Sequence, residues 1–225
     1  MATQRNVKRE PSARRTVDSS KADADPASAK NAILAAARQE FSSKGAAGAR
    51  VNEIAERSGV NKQLIYYYFG NKEGLYAAAL EAVYGDIREL EKNLHLEEEE
   101  PEAAMRSLVS FSFDYLALHP EFIGMLNHEN AIGAQHIQAS KTIQGMNSPL
   151  IELIRQALKR GVAQQKFRRG IDPLNLYISI AGMSYFFFSN RATLSSNFGR
   201  NLSSKEVEEA YRKHVVEFAL AGLRP

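Results

Sequence analysis

The segment that most constrains this chain covers residues 50–75 and reads RVNEIAERSGVNKQLIYYYFGNKEGL. Apolar residues at Ile54 and Ala55 predict a short amphipathic helix, which ends near Gly59. Glycine can adopt the positive φ that turns a chain, and Asn61 can then cap a second short helix that runs through Tyr68. A helix, a turn with glycine and a second helix together have the layout of a helix-turn-helix.

The second of these helices is unusual for its polar side. Its hydrogen-bonding side chains are Lys62, Gln63, Tyr66, Tyr67 and Tyr68, and its apolar anchors are Leu64, Ile65 and Phe69. A helix with so many donors and acceptors and so little carboxylate suits the major groove of DNA. Lys72 follows at the start of the next helix, where backbone N–H groups and the helix dipole also favour a phosphate. The alternative is a helical hairpin whose Tyr and Lys side chains are merely solvated.

Charge is distributed unevenly along the chain. The formal net charge is only +3, yet residues 30–75 hold seven Lys and Arg against four Glu. Residues 1–27 add further basic residues without any apolar period, which predicts a disordered basic arm. Such an arm either follows DNA phosphates or is a solvated tail. A positive first third and a nearly neutral remainder favour a chain whose N-terminal part binds nucleic acid and whose C-terminal part has another task. The alternative is that the surface is simply lysine-rich.

Composition and missing motifs exclude several classes of protein. The chain has no cysteine, so disulfides, thiolate chemistry and Cys-ligated zinc are excluded. It has no signal-like apolar stretch at the N-terminus, and its longest apolar segment, Leu174–Phe188, is too short for a membrane span. We therefore expect a cytoplasmic protein without membrane contact. The common catalytic and nucleotide-binding motifs are missing and the histidines lack metal-ligand spacing, so we expect no enzyme, no cofactor and no metal.

Apolar spacing near 3.6 residues predicts an all-α fold of about nine helices. One helix runs from about Ser28 to Lys44-Gly45, and a helix of about six turns runs from Lys72 to about Leu94. The pairs Ser148-Pro149 and Asp172-Pro173 predict two further helix starts. Ser203 and Glu206 predict a capping box at the start of the last helix. Residues 131–146 are ambiguous.

The helix predicted from Asp172 to about Asn190 is apolar nearly all round. A surface helix shows one apolar stripe, so this helix must be covered on two sides. One side can face its own core and the other a second subunit, in which case the last two helices of two copies form a four-helix bundle. Such a homodimer would present two reading helices to a palindromic operator. Burial of the whole helix within one monomer is the alternative.

The motifs IAERSGV and IYYYFGNKEGLY, within about residues 30–80, resemble the tetracycline-repressor (TetR) family of bacterial transcription regulators. KFRRGIDP, the terminal AGLRP and the YYF run are similar to the RutR-like subgroup, which regulates pyrimidine catabolism. The resemblance implies an N-terminal three-helix DNA-binding domain over residues 28–74. It also implies a helical effector-binding and dimerisation domain over residues 75–225, entered through a long linking helix.

The resemblance also assigns roles by position. It places DNA contacts at Arg50, Asn52, Asn61, Lys62, Gln63, Leu64, Tyr66, Tyr67, Tyr68 and Lys72. Two positions depart from the family pattern. Arg50 and Val51 stand where Thr or Ser usually opens the first helix of the motif, so the usual cap is lost and Arg50 can supply a phosphate contact instead. Tyr68 replaces a common His and still offers a hydrogen bond.

These observations predict a repressor that binds a palindromic double-stranded DNA operator as a homodimer and is released by an unidentified small-molecule effector. The helix Lys72–Leu94 would transmit the signal, because it joins the two ends of the molecule. Candidate effector-pocket residues are Phe111, Tyr115, Met125, Asn127, His128, Asn130, Tyr177 and Tyr185. The alternative is that the aromatic residues are ordinary core and that His128 is a hydrogen-bonded surface or core histidine. The alternative function is a ligand-independent DNA-binding protein that a protein partner controls.

Overall fold

The computed structural model describes residues 26–146 and 149–225, and all regular secondary structure within these ranges is helical. The twelve helices are α1 (Pro26–Gly48), α2 (Val51–Ser58), α3 (Lys62–Phe69), α4 (Lys72–Lys92), α5 (Pro101–Leu118), α6 (Pro120–Ala131), α7 (Gln135–Ala139), α8 (Lys141–Gly145), α9 (Pro149–Ala163), α10 (Pro173–Ser189), α11 (Arg191–Phe198) and α12 (Lys205–Leu223). The all-α prediction is confirmed. The count of about nine was too low because α7 and α8 have only five residues each and α11 lacks an apolar period.

The local signals that predicted α1 to α4 are present in the structure. Gly45 breaks the regular helix of α1 with a φ of 68°, and Gly59 ends α2 with the same left-handed φ. The Asn61 side chain caps α3 by accepting a hydrogen bond of 2.9 Å from the backbone N–H of Gln63. These turns fix α2 and α3 as a helix-turn-helix. Residues 1–25, which hold most of the predicted basic arm, lie outside the described residues.

One hydrophobic core joins the N-terminal helices to the middle of the chain. Phe41 of α1, Ile54 of α2 and Leu75 of α4 are fully buried in it. The same cluster continues without a gap to Phe113 of α5 and Met125 of α6. In the helix-turn-helix, α2 packs on α1 and α3 packs on α4, and α1 in turn packs on α4 and α6. Movement of α4, or of α1 on α6, therefore changes its support.

A second core fills the C-terminal end, between α5, α9, α10 and α12. Asp172 caps α10, as predicted, by accepting from the backbone N–H of Asn175 at 2.8 Å. Ser204, rather than the predicted Ser203, caps α12 by accepting from Val207 N–H. Ser148 lies outside the described residues. Across residues 26–146 and 149–225, no helix has both the length and the apolar character that a membrane crossing requires.

Candidate nucleic-acid interface and internal cavity

The α3 helix buries one side and presents the other to solvent. Ile65 is buried beneath it, whereas the side chains of Lys62 and Gln63 at its N-terminal turn are exposed. Tyr66 and Tyr67 retain 40% and 80% of their accessible surface, which is high for large aromatic residues. An exposed helix with this many hydrogen-bonding groups is suited to contact base edges and phosphates.

Ring contacts hold part of this exposed surface in place. The Lys62 ammonium lies 5.6 Å from the centre of the Tyr66 ring, in a cation–π contact. The Tyr67 and Tyr68 rings meet edge to face with their centres 5.4 Å apart. An exposed cation–π contact contributes only about 0.5–1 kcal/mol. Its consequence here is to bring a positive charge and a phenol to the same side of α3.

Lys72 connects the start of α4 to the end of α1. Its Nζ donates to the backbone carbonyl of Ala47 at 3.1 Å and lies 3.5 Å from that of Ala49. A lysine ammonium has three N–H donors, so one remains for another partner. The half-buried Lys72 therefore holds the turn before α2, and its charge lies at the edge of the exposed surface.

A buried carboxylate holds the backbone at the start of α2, which has no side-chain cap. The Arg50 side chain makes no capping hydrogen bond, as expected, but its backbone N–H donates to Glu40 Oε1 at 3.2 Å. The Lys44 ammonium donates to the same oxygen at 2.8 Å. Burial alone would raise the pKa of Glu40, but the hydrogen bonds from Lys44 and Arg50 outweigh it and hold the pKa below its usual value.

Because its folded pKa is lowered, Glu40 stabilises the fold above the unfolded-state value of 4.5, and this contribution is lost as pH falls through the folded value. We expect Glu40→Gln to lower the free energy of unfolding by about 1 kcal/mol at pH 7. The difference should shrink towards pH 3. Urea denaturation of both proteins at the two pH values measures it, with Glu53→Gln on the exposed side of α2 as the control. An equal difference at both pH values would contradict this assignment.

A cavity of about 580 Å³ lies between α4, α5, α6 and α10. Its volume falls within the range of small-molecule sites, roughly 300–1,000 Å³. The lining residues are Tyr84, Ile87, Arg88, Glu91, Phe111, Ser112, Leu116, Phe122, Leu126, Asn130, Tyr177, Ile178, Ala181, Gly182 and Tyr185. Aromatic and aliphatic walls with a few polar groups are typical of a site for a small organic molecule.

The charged groups of the cavity form one ion pair on α4. The Arg88 guanidinium donates to the carboxylate of Glu91, and both side chains are largely buried. Burial raises the pKa of Glu91, which the Arg88 charge partly offsets. Burial also raises the pKa of Tyr84 to about 12, so this phenol is neutral at physiological pH. The cavity thus offers a donor and an acceptor without net charge to a polar ligand group.

Two family models match the sequence. Residues 33–79 match the N-terminal model of bacterial regulatory proteins of the tetR family, and residues 101–218 match the tetracyclin repressor-like C-terminal domain. The HTH-type transcriptional repressor NicS from Pseudomonas putida is 36% identical over 85% of this chain and 91% of its own length. This chain belongs to the TetR family. As a member, it is a DNA-binding transcriptional regulator and not an enzyme.

Other TetR-family comparisons support the assignment. The HTH-type transcriptional regulator RutR from Escherichia coli K12 is 28% identical over 87% of this chain and 91% of its own length. The fold is also that of the fatty acid degradation regulator FadR from Bacillus halodurans, with a TM-score of 0.66 and 22% identity. That similarity covers 91% of this chain and 99% of FadR.

The predicted DNA-contact residues occupy one end of this TetR-family fold, although their side chains differ in exposure. Those that are exposed are Arg50, Asn52, Asn61, Lys62, Gln63, Tyr66 and Tyr67. Leu64, Tyr68 and Lys72 are half-buried. Leu64 therefore has less surface for a base contact than its neighbours in α3.

Four of the eight predicted pocket residues line the cavity, namely Phe111, Asn130, Tyr177 and Tyr185. The other four do not line it. Met125 is fully buried in the core, and Tyr115 stacks on His119 with ring centres 4.3 Å apart. His128 lies against Gly45 of α1, where a Cβ on the glycine would be 3.0 Å from Nδ1. Asn127 lies behind the cavity wall and accepts a hydrogen bond from the hydroxyl of Tyr185, which lines the cavity.

The sequence pattern did not reveal the α4 wall of the cavity or the burial of Glu40. Tyr84, Arg88 and Glu91 follow one another at spacings of four and three, which places them on one side of α4. The apolar stripe of the same helix concealed this second, polar stripe. Glu40 follows Ile33 by seven residues, which places it on the core-facing side of α1. A carboxylate at such a position could have been recognised from the sequence as a buried, hydrogen-bonded group.

Proposed function

We propose that this TetR-family protein binds a palindromic operator as a homodimer, represses transcription, and releases the operator when a small molecule occupies the cavity. The observation that carries the proposal is the path of α4. Its first residue, Lys72, contacts the carbonyls that precede the helix-turn-helix. Its later turns supply Tyr84, Arg88 and Glu91 to the cavity wall. One rigid element therefore touches both sites.

The α4 helix can transmit a movement because it is continuous over its 21 residues. At 1.5 Å per residue it spans roughly 30 Å. A second route runs beside it, since Asn130 of α6 lines the cavity and α6 packs tightly on α1 through Gly124 and His128. An effector shifts operator binding only if it binds one arrangement of these helices better than the other.

An exposed apolar surface on α10 and α12, which we name the α10–α12 face, supports the homodimer. It contains Leu174, Ile178 and Phe186 of α10 and Phe218 of α12, each more than half exposed. Contiguous apolar surface of this kind marks an interface rather than a solvated face. We propose that the last two long helices of two copies pack there as a four-helix bundle.

We keep the division into a DNA-binding domain over residues 28–74 and an effector-binding domain over residues 75–225 as a functional proposal. Physically, the two parts share the core around Leu75 and Phe41. A shared core supports the proposal, because it couples the orientation of the DNA-binding domain to the helices around the cavity. We also propose that the basic arm predicted for residues 1–27 follows the DNA backbone, although its last two residues, Pro26 and Ala27, belong to α1.

Fluorescence anisotropy with labelled operator DNA tests the proposed function. The operator is first selected from random or genomic fragments at low ionic strength, and we expect a two-fold symmetric site. Metabolite fractions are then added to the complex, and a released operator identifies the effector. If the protein binds its operator but every fraction leaves affinity unchanged, control by a protein partner replaces control by a small molecule.

Gln63 is the residue of α3 best suited to read a base, because it is exposed and its amide can pair with adenine in the major groove. We expect Gln63→Ala to change the preferred operator sequence at one position per half-site. A lost contact of this kind costs about 1–3 kcal/mol against the original base. Selection of operators with both proteins measures the change. An unchanged preference would remove Gln63 from the base-reading residues.

Lys72 should instead act without regard to sequence. We expect Lys72→Ala to weaken binding to all operators by a similar factor and to reduce the slope of log affinity against log salt by about one per subunit. Anisotropy titrations at several salt concentrations provide the slope. Because Lys72 also holds the carbonyl of Ala47, a melting curve must accompany them. Weaker binding with an unchanged salt slope would assign Lys72 a purely structural role.

A further inference from the structure

The effector cavity and the exposed apolar surface share part of α10. Ile178 and Gly182 line the cavity, and both also belong to the exposed side of the helix. Ile178 retains 56% of its accessible surface in the single chain. The wall of the cavity is therefore open to solvent along one strip of α10.

Helical geometry explains why these two residues belong to both surfaces. Tyr177, Ala181 and Tyr185 succeed one another at spacings of four and form the stripe that faces the cavity. The adjacent stripe, which is exposed, has the same spacing and consists of Leu174, Ile178, Gly182 and Phe186. Because Ile178 and Gly182 of this stripe also line the cavity, any molecule that covers the stripe also covers the edge of the cavity.

The shape of the α10–α12 face indicates a second copy of this chain as its occupant. Two surface grooves lie beside Phe218 of α12, whose ring centre is 5.8 Å from that of His214. One groove, of about 380 Å³, is lined by Met183 and Ala219 together with Phe218 itself. The other, of about 400 Å³, is lined by Phe186 and His214. Ridges and grooves on one surface are the self-complementary arrangement that a two-fold interface requires.

We propose that the partner subunit closes the effector cavity at Ile178 and Gly182, so that the binding site is complete only in the dimer. This inference rests on the proposed function for the cavity and the dimer. Closure by a partner removes water from the aromatic walls and from the Arg88–Glu91 pair, which strengthens every polar contact to a ligand. Effector binding and dimerisation are then linked, and each favours the other.

The chain contains no cysteine, so a single introduced thiol reports on the cavity without any ligand. Ser112 of α5 lines the cavity, and its hydroxyl only donates to the Leu108 carbonyl of the same helix, so Ser112→Cys is a mild change. The probe is iodoacetamide, with the extent of alkylation followed by mass spectrometry. The Ser112→Cys protein is studied alone and combined with Phe218→Asp, which places a charge on the α10–α12 face.

We expect the thiol of Ser112→Cys to be alkylated at least tenfold more slowly in the dimer than in the Phe218→Asp monomer. Ser43→Cys, exposed on α1, should react at the same rate in both backgrounds. Dilution of the Ser112→Cys protein through its dimer dissociation range repeats the test without the second substitution. This dilution experiment still compares dimer with monomer if the Phe218→Asp protein folds poorly.

Equal alkylation rates in dimer and monomer would overturn the inference, because the cavity would then be equally open in both. A Phe218→Asp protein that remains folded and dimeric would also overturn it, because the partner would then occupy another face. Operator binding is measured separately by anisotropy. A protein that binds and releases its operator while the alkylation rates stay equal retains the proposed function and loses only the closure by the partner.

Discussion

Phe218→Asp is expected to abolish high-affinity operator binding although residue 218 belongs to the helix at the C-terminal end of the chain. Phe218 is 61% exposed in the single chain and is the α12 residue of the α10–α12 face. A charge at a two-fold interface is buried twice, once from each copy, and has no partner there. The monomer would hold one half-site, and the loss of the second linked contact lowers affinity by on the order of 10²–10⁴-fold.

The measurement pairs anisotropy on the full operator with sedimentation or light scattering for the oligomeric state. Leu118→Asp is the matched control, since Leu118 at the end of α5 is 75% exposed and lies outside the α10–α12 face. It should remain dimeric and retain full affinity. A monomeric Phe218→Asp protein that still binds the full operator as tightly as the original protein would refute the proposal that a homodimer binds the palindromic operator.

The DNA-binding end is the part that sequence predicts best, because its signals are local. Gly59 and Asn61 determine a turn and a cap through their own backbone and side chain, without help from distant residues. The apolar stripe of α1 at Ile33, Ala37 and Phe41 is buried, and so is the first half of the α4 stripe, through Val83. Further along α4 the stripe leaves the core, and Leu90 is exposed. Local rules of this kind require no knowledge of the tertiary arrangement.

The cavity is harder to predict because its walls come from helices far apart in sequence. Periodicity separates a buried side from an exposed one, but it does not separate a core position from a cavity position. Met125 and Phe111 both follow an apolar pattern, yet Met125 packs in the core and Phe111 lines the cavity. Which of the two applies depends on the spacing between α4, α6 and α10, and that spacing is a tertiary property.

The burial of acidic side chains is the second feature of the structure that the sequence pattern does not predict. A glutamate in a helix reads as a solvated residue, and Glu129 of α6 fits that pattern. In the structure it is completely buried. Its partners come from two other helices, so only the fold reveals it. Buried carboxylates of this kind are rare and require full hydrogen bonding.

Glu129→Ala is expected to cause the largest loss of stability of any single change considered. One carboxylate oxygen accepts from the Tyr76 hydroxyl at 2.9 Å and lies 2.8 Å from His136 Nδ1. The other accepts from the backbone N–H groups of His136 and Ile137 at 3.2 and 3.3 Å. Removing the carboxylate leaves the buried Tyr76 hydroxyl and the half-buried groups of His136 and Ile137 unpaired, at a cost of about 3–5 kcal/mol in the free energy of unfolding.

Urea denaturation at pH 7 measures this loss, and Glu73→Ala, which removes an exposed glutamate from α4, is the control. Glu129→Gln should lose less, because its amide oxygen can still accept from one pair of donors. Operator binding should weaken as well, because the Tyr76 ring packs edge to face on Phe41 of α1 at 4.9 Å. Glu129 directly precedes Asn130 of the cavity wall and accepts a hydrogen bond from Tyr76 of α4. It therefore joins the cavity wall on α6 to α4, the helix that contacts the carbonyls before the helix-turn-helix. A Glu129→Ala protein as stable as the control would show that water satisfies these donors, and the hydrogen bond between α6 and Tyr76 of α4 would then contribute nothing to stability.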